Sequence, residues 1–168
     1  MQTNTPSQAT SANGDAVPRL LLPALRGLYE RGEQAGYALL RACFGIVMLS
    51  HGLPKLLRTS HGSMRDPMAA STGLIENVLG LPFAPAIAMF VALLEGLGGA
   101  MLVLGLATRP ISLMIAVQML VISYILGPTW PWVDRGIEFP VLMAFLALFM
   151  AFKGSGRYSL DRMLGKEI

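Results

Sequence analysis

The chain has 168 residues, 54% of them hydrophobic and 14% charged, with a mean hydropathy of +0.56 and a formal charge of +3. Soluble domains carry about 25% charged residues, so the composition argues for several lipid-buried segments rather than one water-soluble core. The basic residues form no run, which excludes a nucleic-acid surface, and the single cysteine, Cys43, excludes an internal disulfide and a CxxC redox pair.

Residues 1–18 are small, polar and free of aromatics, without the basic and apolar regions of a secretory signal, and read as a disordered cytoplasmic tail. Residues 19–34 follow as an interfacial amphipathic helix. Within it, PALRGLYER places Leu25, Leu28 and Tyr29 on one face flanked by arginines, as on a helix lying on a leaflet. Four apolar runs come next, over residues 36–53, 83–106, 110–127 and 137–152. A crossing needs ~20 apolar residues at 1.5 Å each to span roughly 30 Å. The second run is long enough and the third nearly so, whereas the first and fourth need flanking residues or snorkelling. Pro54 is expected to end the first helix, and Pro110 suits the first turn of the third.

The connection over residues 58–81 reads as external and helical around 72–79. Residues 154–168 read as a C-terminal amphipathic tail: a flexible Gly-Ser turn, a cap at Ser159 and a short helix. The predicted fold class is therefore all-α, an integral membrane four-helix bundle over residues 35–153. One side would carry Arg19, Arg26, Arg31, Arg109, Lys153, Arg157, Arg162 and Lys166, the other Lys55, Arg58, Arg65 and Arg135. That excess predicts both termini in the cytoplasm, with Trp130 and Trp132 at the outer interface.

Charges in hydrocarbon cost at least ~2.5–3.5 kcal/mol each on insertion scales, so they need partners or water. Tyr37, Arg41, Phe44, Met48, His51 and Lys55 recur at alternating steps of four and three, a single seam that should face the interior. Ala88, Ala92, Gly96 and Ala100 form a ladder of small residues that permits close backbone approach, with Glu95 beside it. From the same side, Arg41 lies roughly 9 Å deep and Glu95 roughly 16 Å deep. The long arginine stem predicts an Arg41–Glu95 ion pair acting as a structural clamp. His51 lies roughly 15 Å beyond Arg41, near the outer interface, where it would meet Lys55 and Glu138. Each of these three also has a plain reading: Lys55 as an interfacial anchor, His51 satisfied by a carbonyl, Glu138 placed at a helix N-terminus by the dipole. Cys43 reads as a buried, inert thiol and the methionines as packing. No metal site is expected.

The stretches LLRACFGIVMLSHGLPKL, EGLGGAMLVLGLATRP, GIEFPVLM and GSGRYSLDRML, in this order and at these separations, resemble the successive signatures of the DoxX-like family of small membrane proteins, over about residues 36–164. The resemblance implies a four-helix, multi-pass protein of the bacterial inner (plasma) membrane and an oxidoreductase role. Some relatives are linked to thiosulfate oxidation coupled to quinone, others to thiol or oxidative-stress complexes. Carried over by motif, it marks Arg41, His51, Lys55, Glu95, Arg109, Glu138, Ser159 and Asp161.

Two functions stand open. In the first, the chain is a quinone-linked or oxidative-stress-linked oxidoreductase component. His51 and Glu138 would then be catalytic, exchanging protons, and His51, Lys55, Glu138 and Trp132 would line a quinone site near Phe44 and Met48. Quinone is the cofactor expected. The sequence carries no nucleotide-binding glycine motif and no iron–sulfur ligand set, so electrons would come from a soluble redox partner or from substrate. In the second, the chain is a non-catalytic membrane anchor or scaffold subunit for a soluble enzyme. Expected partners are the lipid bilayer, a soluble redox enzyme and further copies of the chain, and no nucleic acid. The lack of an inverted repeat disfavours a solute carrier.

Overall fold

The computed structural model of the chain describes residues 21–166, the side chain of Trp132 excepted. The tail expected over residues 1–18 lies outside the described residues. Among the described residues every regular element is helical. The chain divides into two units, Met1–Glu33 and Gln34–Ile168. In the first, a 3-10 turn at Pro23–Leu25 leads into α1 (Arg26–Leu57). The separate interfacial helix expected up to residue 34 is thus the opening of one long helix, because residues 26–35 are mostly good helix formers and contain no proline to stop it.

Nor does Pro54 end α1. The helix runs through it to Leu57, since a proline in the last turns deletes only one backbone hydrogen bond. The chain turns instead at Arg58, whose φ of 53° is left-handed, and Thr59 N donates to Pro54 O at 3.0 Å. In the following connection α2 (Pro67–Asn77) starts at Asp66, whose carboxylate accepts from Ala69 N at 2.9 Å, with proline in the first helical turn. It buries Ile75 against Ala84 and Ala88.

The second apolar run forms α3 (Ala84–Leu93), a π-helical turn at Leu94–Gly98, and α4 (Gly99–Leu104). A tight turn leads to α5 (Thr108–Leu126), followed by α6 (Glu138–Lys153) and the single-turn α7 (Leu160–Met163). Ser159 caps α7, its hydroxyl accepting from Arg162 N at 3.3 Å. Among the described residues three helices are long and apolar enough to cross a membrane: Pro23–Leu57, Ala84–Leu104 and Thr108–Leu126. At 16 residues, α6 is about 24 Å long and falls short of a full crossing by itself.

The distribution of side chains explains why water is the wrong solvent. Leu39, Phe90, Leu97, Tyr124 and Phe145 are all more than half exposed, whereas Ala88, Ala92 and Ala147 are wholly buried. Many large apolar side chains on the outside, with small residues buried where helices approach closely, is the packing expected when lipid covers the surface. That approach is made by glycines. A Cβ on Gly45 would lie 2.6 Å from Gly99 O, and one on Gly52 would run into the Gly96 backbone. The ladder expected at steps of four does not continue to Ala100, which is only half-buried. Gly99 makes the contact, because the π turn changes the residue register of the face. Cys43, expected to be buried, lies exposed. It is two residues from Arg41, which on a helix puts it on nearly the opposite face.

Candidate functional site

Two polar centres are held inside the apolar helices. At the His51 end, Lys55 Nζ donates to Glu95 Oε2 at 2.5 Å, and Gln118 Nε2 donates to Glu95 Oε1 at 2.5 Å. The Lys55 and Glu95 side chains are only 13% and 4% exposed. Three elements supply this triad: the last turn of α1, the π turn and α5.

The contacts Gly45–Gly99 and Gly52–Gly96 show that α1 and α3–α4 run antiparallel. Helical side chains lean toward their own N-terminus. Lys55 therefore leans back toward Glu95, while Glu95, on the Lys55 side of the Gly52–Gly96 contact, leans toward Lys55. The same geometry corrects the predicted Arg41–Glu95 pair. Arg41 lies eleven residues before Gly52, roughly 16 Å away along α1, and its side chain leans further from Glu95. The ion pair belongs to Lys55, which does more than anchor at an interface.

His51 lies one turn before Lys55, but the seam does not carry it inward: its side chain is exposed. Gly52, beside it, takes the buried position against Gly96. The His51 ring packs on His61 with centroids 4.8 Å apart and planes at 59°. His61 is fixed by reciprocal backbone hydrogen bonds with Met64, at 2.9 and 3.0 Å. Glu95 and Lys55 lie close enough to act electrostatically on His51. Glu138 opens α6, half-buried, with its backbone N–H donating to Trp130 O at 3.1 Å. The backbone of Trp132 lies in a 3-10 turn, Trp132–Asp134, and its side chain lies outside the described part.

The second centre surrounds Arg41, 2% exposed. Its guanidinium donates to three carbonyls: Leu102 O at 2.9 Å, Tyr158 O at 2.7 Å, and Ser155 O. The Tyr37 hydroxyl donates to Gly154 O. Asp161 Oδ1 accepts from Ala107 N at 3.0 Å, and Asp161 N donates to Gly105 O at 3.1 Å. Gly105 is required: its φ is +70°, and a Cβ would sit 2.7 Å from the Arg41 guanidinium. The flexible Gly-Ser turn expected here is instead a packed loop, because Arg41 and Tyr37 consume its carbonyls. Arg109 Nη1 donates to Phe152 O at 2.9 Å, closing the C-terminal end of α6.

Sequence reasoning missed Gln118, although it is the most polar residue of an uncharged run and so the natural partner for an intramembrane charge. Four buried atoms have no hydrogen-bond partner among the described residues: Gln118 Oε1, Ser112 Oγ, Thr108 Oγ1 and Asp161 Oδ2. Gln118 holds one Glu95 oxygen while its own carbonyl stays open to a donor. The triad can thus fix a carboxylate and offer an acceptor beside it.

A family model described as DoxX matches residues 36–128, more than half of the chain. The chain belongs to the DoxX family. It is a DoxX-like membrane protein, and the matched DoxX stretch holds Arg41, His51, Lys55, Glu95, Arg109 and Gln118 while leaving Glu138, Ser159 and Asp161 beyond it. No curated protein and no solved structure matches the chain.

Proposed function

We propose that this DoxX-family chain is the membrane component of a quinone-linked redox system in the bacterial inner membrane, with both termini cytoplasmic and α6 completing a fourth crossing with its flanking residues. The observation that carries this reading is the Lys55–Glu95–Gln118 triad, an ion pair 13% and 4% exposed within apolar helices beside an unpaired amide oxygen. An ion pair in such surroundings costs desolvation that a hydrophobic substitute would avoid, and intramembrane ionisable groups by default mark a site.

Reducing a quinone to a quinol takes up protons together with electrons. Gln118 Oε1 suits a quinol hydroxyl as donor, and Ser112 Oγ suits a quinone carbonyl as acceptor. Glu95 and Lys55 supply an ionisable pair, and exposed His51 with His61 connects them to the outer surface. Glu138, at the first turn of α6, stays a candidate proton carrier, and Trp132 a candidate wall. Electrons would arrive from a soluble enzyme partner.

The second reading, an anchor for such an enzyme, draws on the Arg41 centre, whose contacts are entirely structural. Purified protein tested for co-extracted quinone and titrated with a short-chain quinone analogue separates the two. The redox reading expects saturable binding that weakens at least tenfold in Glu95→Gln and in His51→Ala. Absence of binding by the unaltered chain, with full complementation by a His51→Ala, Glu138→Gln double variant, leaves the anchor.

A further inference from the structure

The last turn of α6 opens onto a cleft that the redox reading does not use. It measures about 440 Å³, and its lining includes Lys153, Arg157, Arg162 and Lys166 against a single acid, Asp161. Asp161 offsets part of this charge, its Oδ1 accepting from Ala107 N and its Oδ2 having no hydrogen-bond partner among the described residues, which leaves four cations against one acid. Lys153 Nζ lies 5.5 Å from the Tyr37 ring centroid, so the cleft's charge toward a ligand comes chiefly from Arg157, Arg162 and Lys166.

The floor is rigid: the Ser155 and Tyr158 carbonyls are held by Arg41, the Ser159 hydroxyl donates to Gly156 O at 2.8 Å, and Asp161 N is tied to Gly105 O. A concave wall with an ordered backbone floor and two arginine forks matches tetrahedral phosphate oxygens.

The margin is apolar. Phe152 is 76% exposed, Met163 81% and Leu164 67%. A second cleft of about 310 Å³, lined by Pro110, Leu113, Ala151 and Phe152 together with Arg109, lies at the same end of α6. Cations in a cleft at the end of an apolar helix, flanked by exposed apolar side chains, describe the headgroup level of a bilayer.

We propose that this cleft binds a phosphate group through Arg157, Arg162 and Lys166. Two sources carry that chemistry here, the phosphodiester of an anionic phospholipid and free phosphate; the apolar margin favours the lipid. The site is independent of the quinone reading and stands or falls without it.

Full-length protein in detergent, titrated with dioctanoyl phosphatidylglycerol, dioctanoyl phosphatidylcholine and inorganic phosphate while thermal stability is followed, provides the test. Phosphatidylglycerol should raise the midpoint saturably, and less so at high salt. Arg157→Gln with Arg162→Gln should weaken its apparent affinity about 25-fold, at roughly fivefold per cation. Should that variant not fold, Lys166→Gln, on an exposed residue beyond α7, should weaken it about fivefold. If inorganic phosphate matches the lipid and the variants weaken both, the source is free phosphate. If phosphatidylcholine does as well as phosphatidylglycerol, or if folded variants bind as the unaltered chain does, the site is refuted.

Discussion

The Lys55–Glu95 pair makes a prediction with a definite asymmetry. At 2.5 Å and an effective dielectric of about 20, the gross attraction is about 7 kcal/mol, set against several kcal/mol of desolvation for each ion. Little net stability therefore remains in the intact pair, yet removing one partner strands the other and costs ~3–5 kcal/mol. The two orphans are unequal. Lys55 sits in the last turn of α1, 13% exposed, with a stem long enough to carry its ammonium outward. Glu95 is 4% exposed in the middle of a span. Lys55→Met should therefore cost about 4–5 kcal/mol and Glu95→Gln about 3 kcal/mol, while the double variant should return to within about 2 kcal/mol of the unaltered chain. Unfolding in mixed micelles of increasing denaturing detergent, read as a double-mutant cycle, gives the coupling directly. Additive losses, with the double variant as unstable as the sum of the singles, would refute the pair. Recovery of Glu95→Gln by a change at Arg41 instead would restore the pairing expected from the sequence.

Three further outcomes follow from the packing. Gly52→Ala forces a Cβ into the Gly96 backbone and should cost roughly 2–3 kcal/mol, read by the same unfolding assay; an unchanged midpoint would mean that α1 does not approach α3–α4 so closely. Gly105→Ala combines a left-handed φ of +70° with contact at 2.7 Å on the Arg41 guanidinium, and should lose at least ~2 kcal/mol. Cys43 faces outward from α1, so Cys43→Leu should leave the unfolding midpoint within about 0.5 kcal/mol of the unaltered chain; a loss of about 1–3 kcal/mol, as from overpacking, would place that face inside.

The all-helical class and the membrane-spanning character were legible because composition and run length report on solvent, which acts on every residue of a segment at once; of the four crossings expected, three helices among the described residues have the length and apolarity by themselves. Which charges meet was not, because it depends on helix direction and side-chain lean. A depth estimate from Cα rise placed Arg41 and Glu95 within reach but ignored that both side chains lean toward their own N-termini, in opposite directions in an antiparallel pair. The seam on α1 was correct from Tyr37 to Met48 and failed at His51, where the buried position goes to Gly52 so that two backbones can touch. Gly-Ser stretches usually read as flexible, and residues 154–159 read so too. Nothing local announces that an arginine from α1, more than a hundred positions away, will take their carbonyls.

The two polar centres differ in what they can do. Arg41 faces backbone carbonyls, which do not protonate, so that centre holds geometry. The Lys55–Glu95–Gln118 centre has an ionisable pair and an open acceptor. The quinone reading therefore requires a double dissociation. Arg41→Lys replaces a fork that serves three carbonyls with one ammonium and should cost about 3 kcal/mol, yet its surviving folded fraction should bind the quinone analogue as the unaltered chain does. The Lys55→Met, Glu95→Gln double variant should regain stability and still bind the analogue at least tenfold more weakly. If instead affinity tracks stability across all these variants, the triad is packing like the rest of the interior, and the membrane-anchor reading gains the ground the redox reading loses.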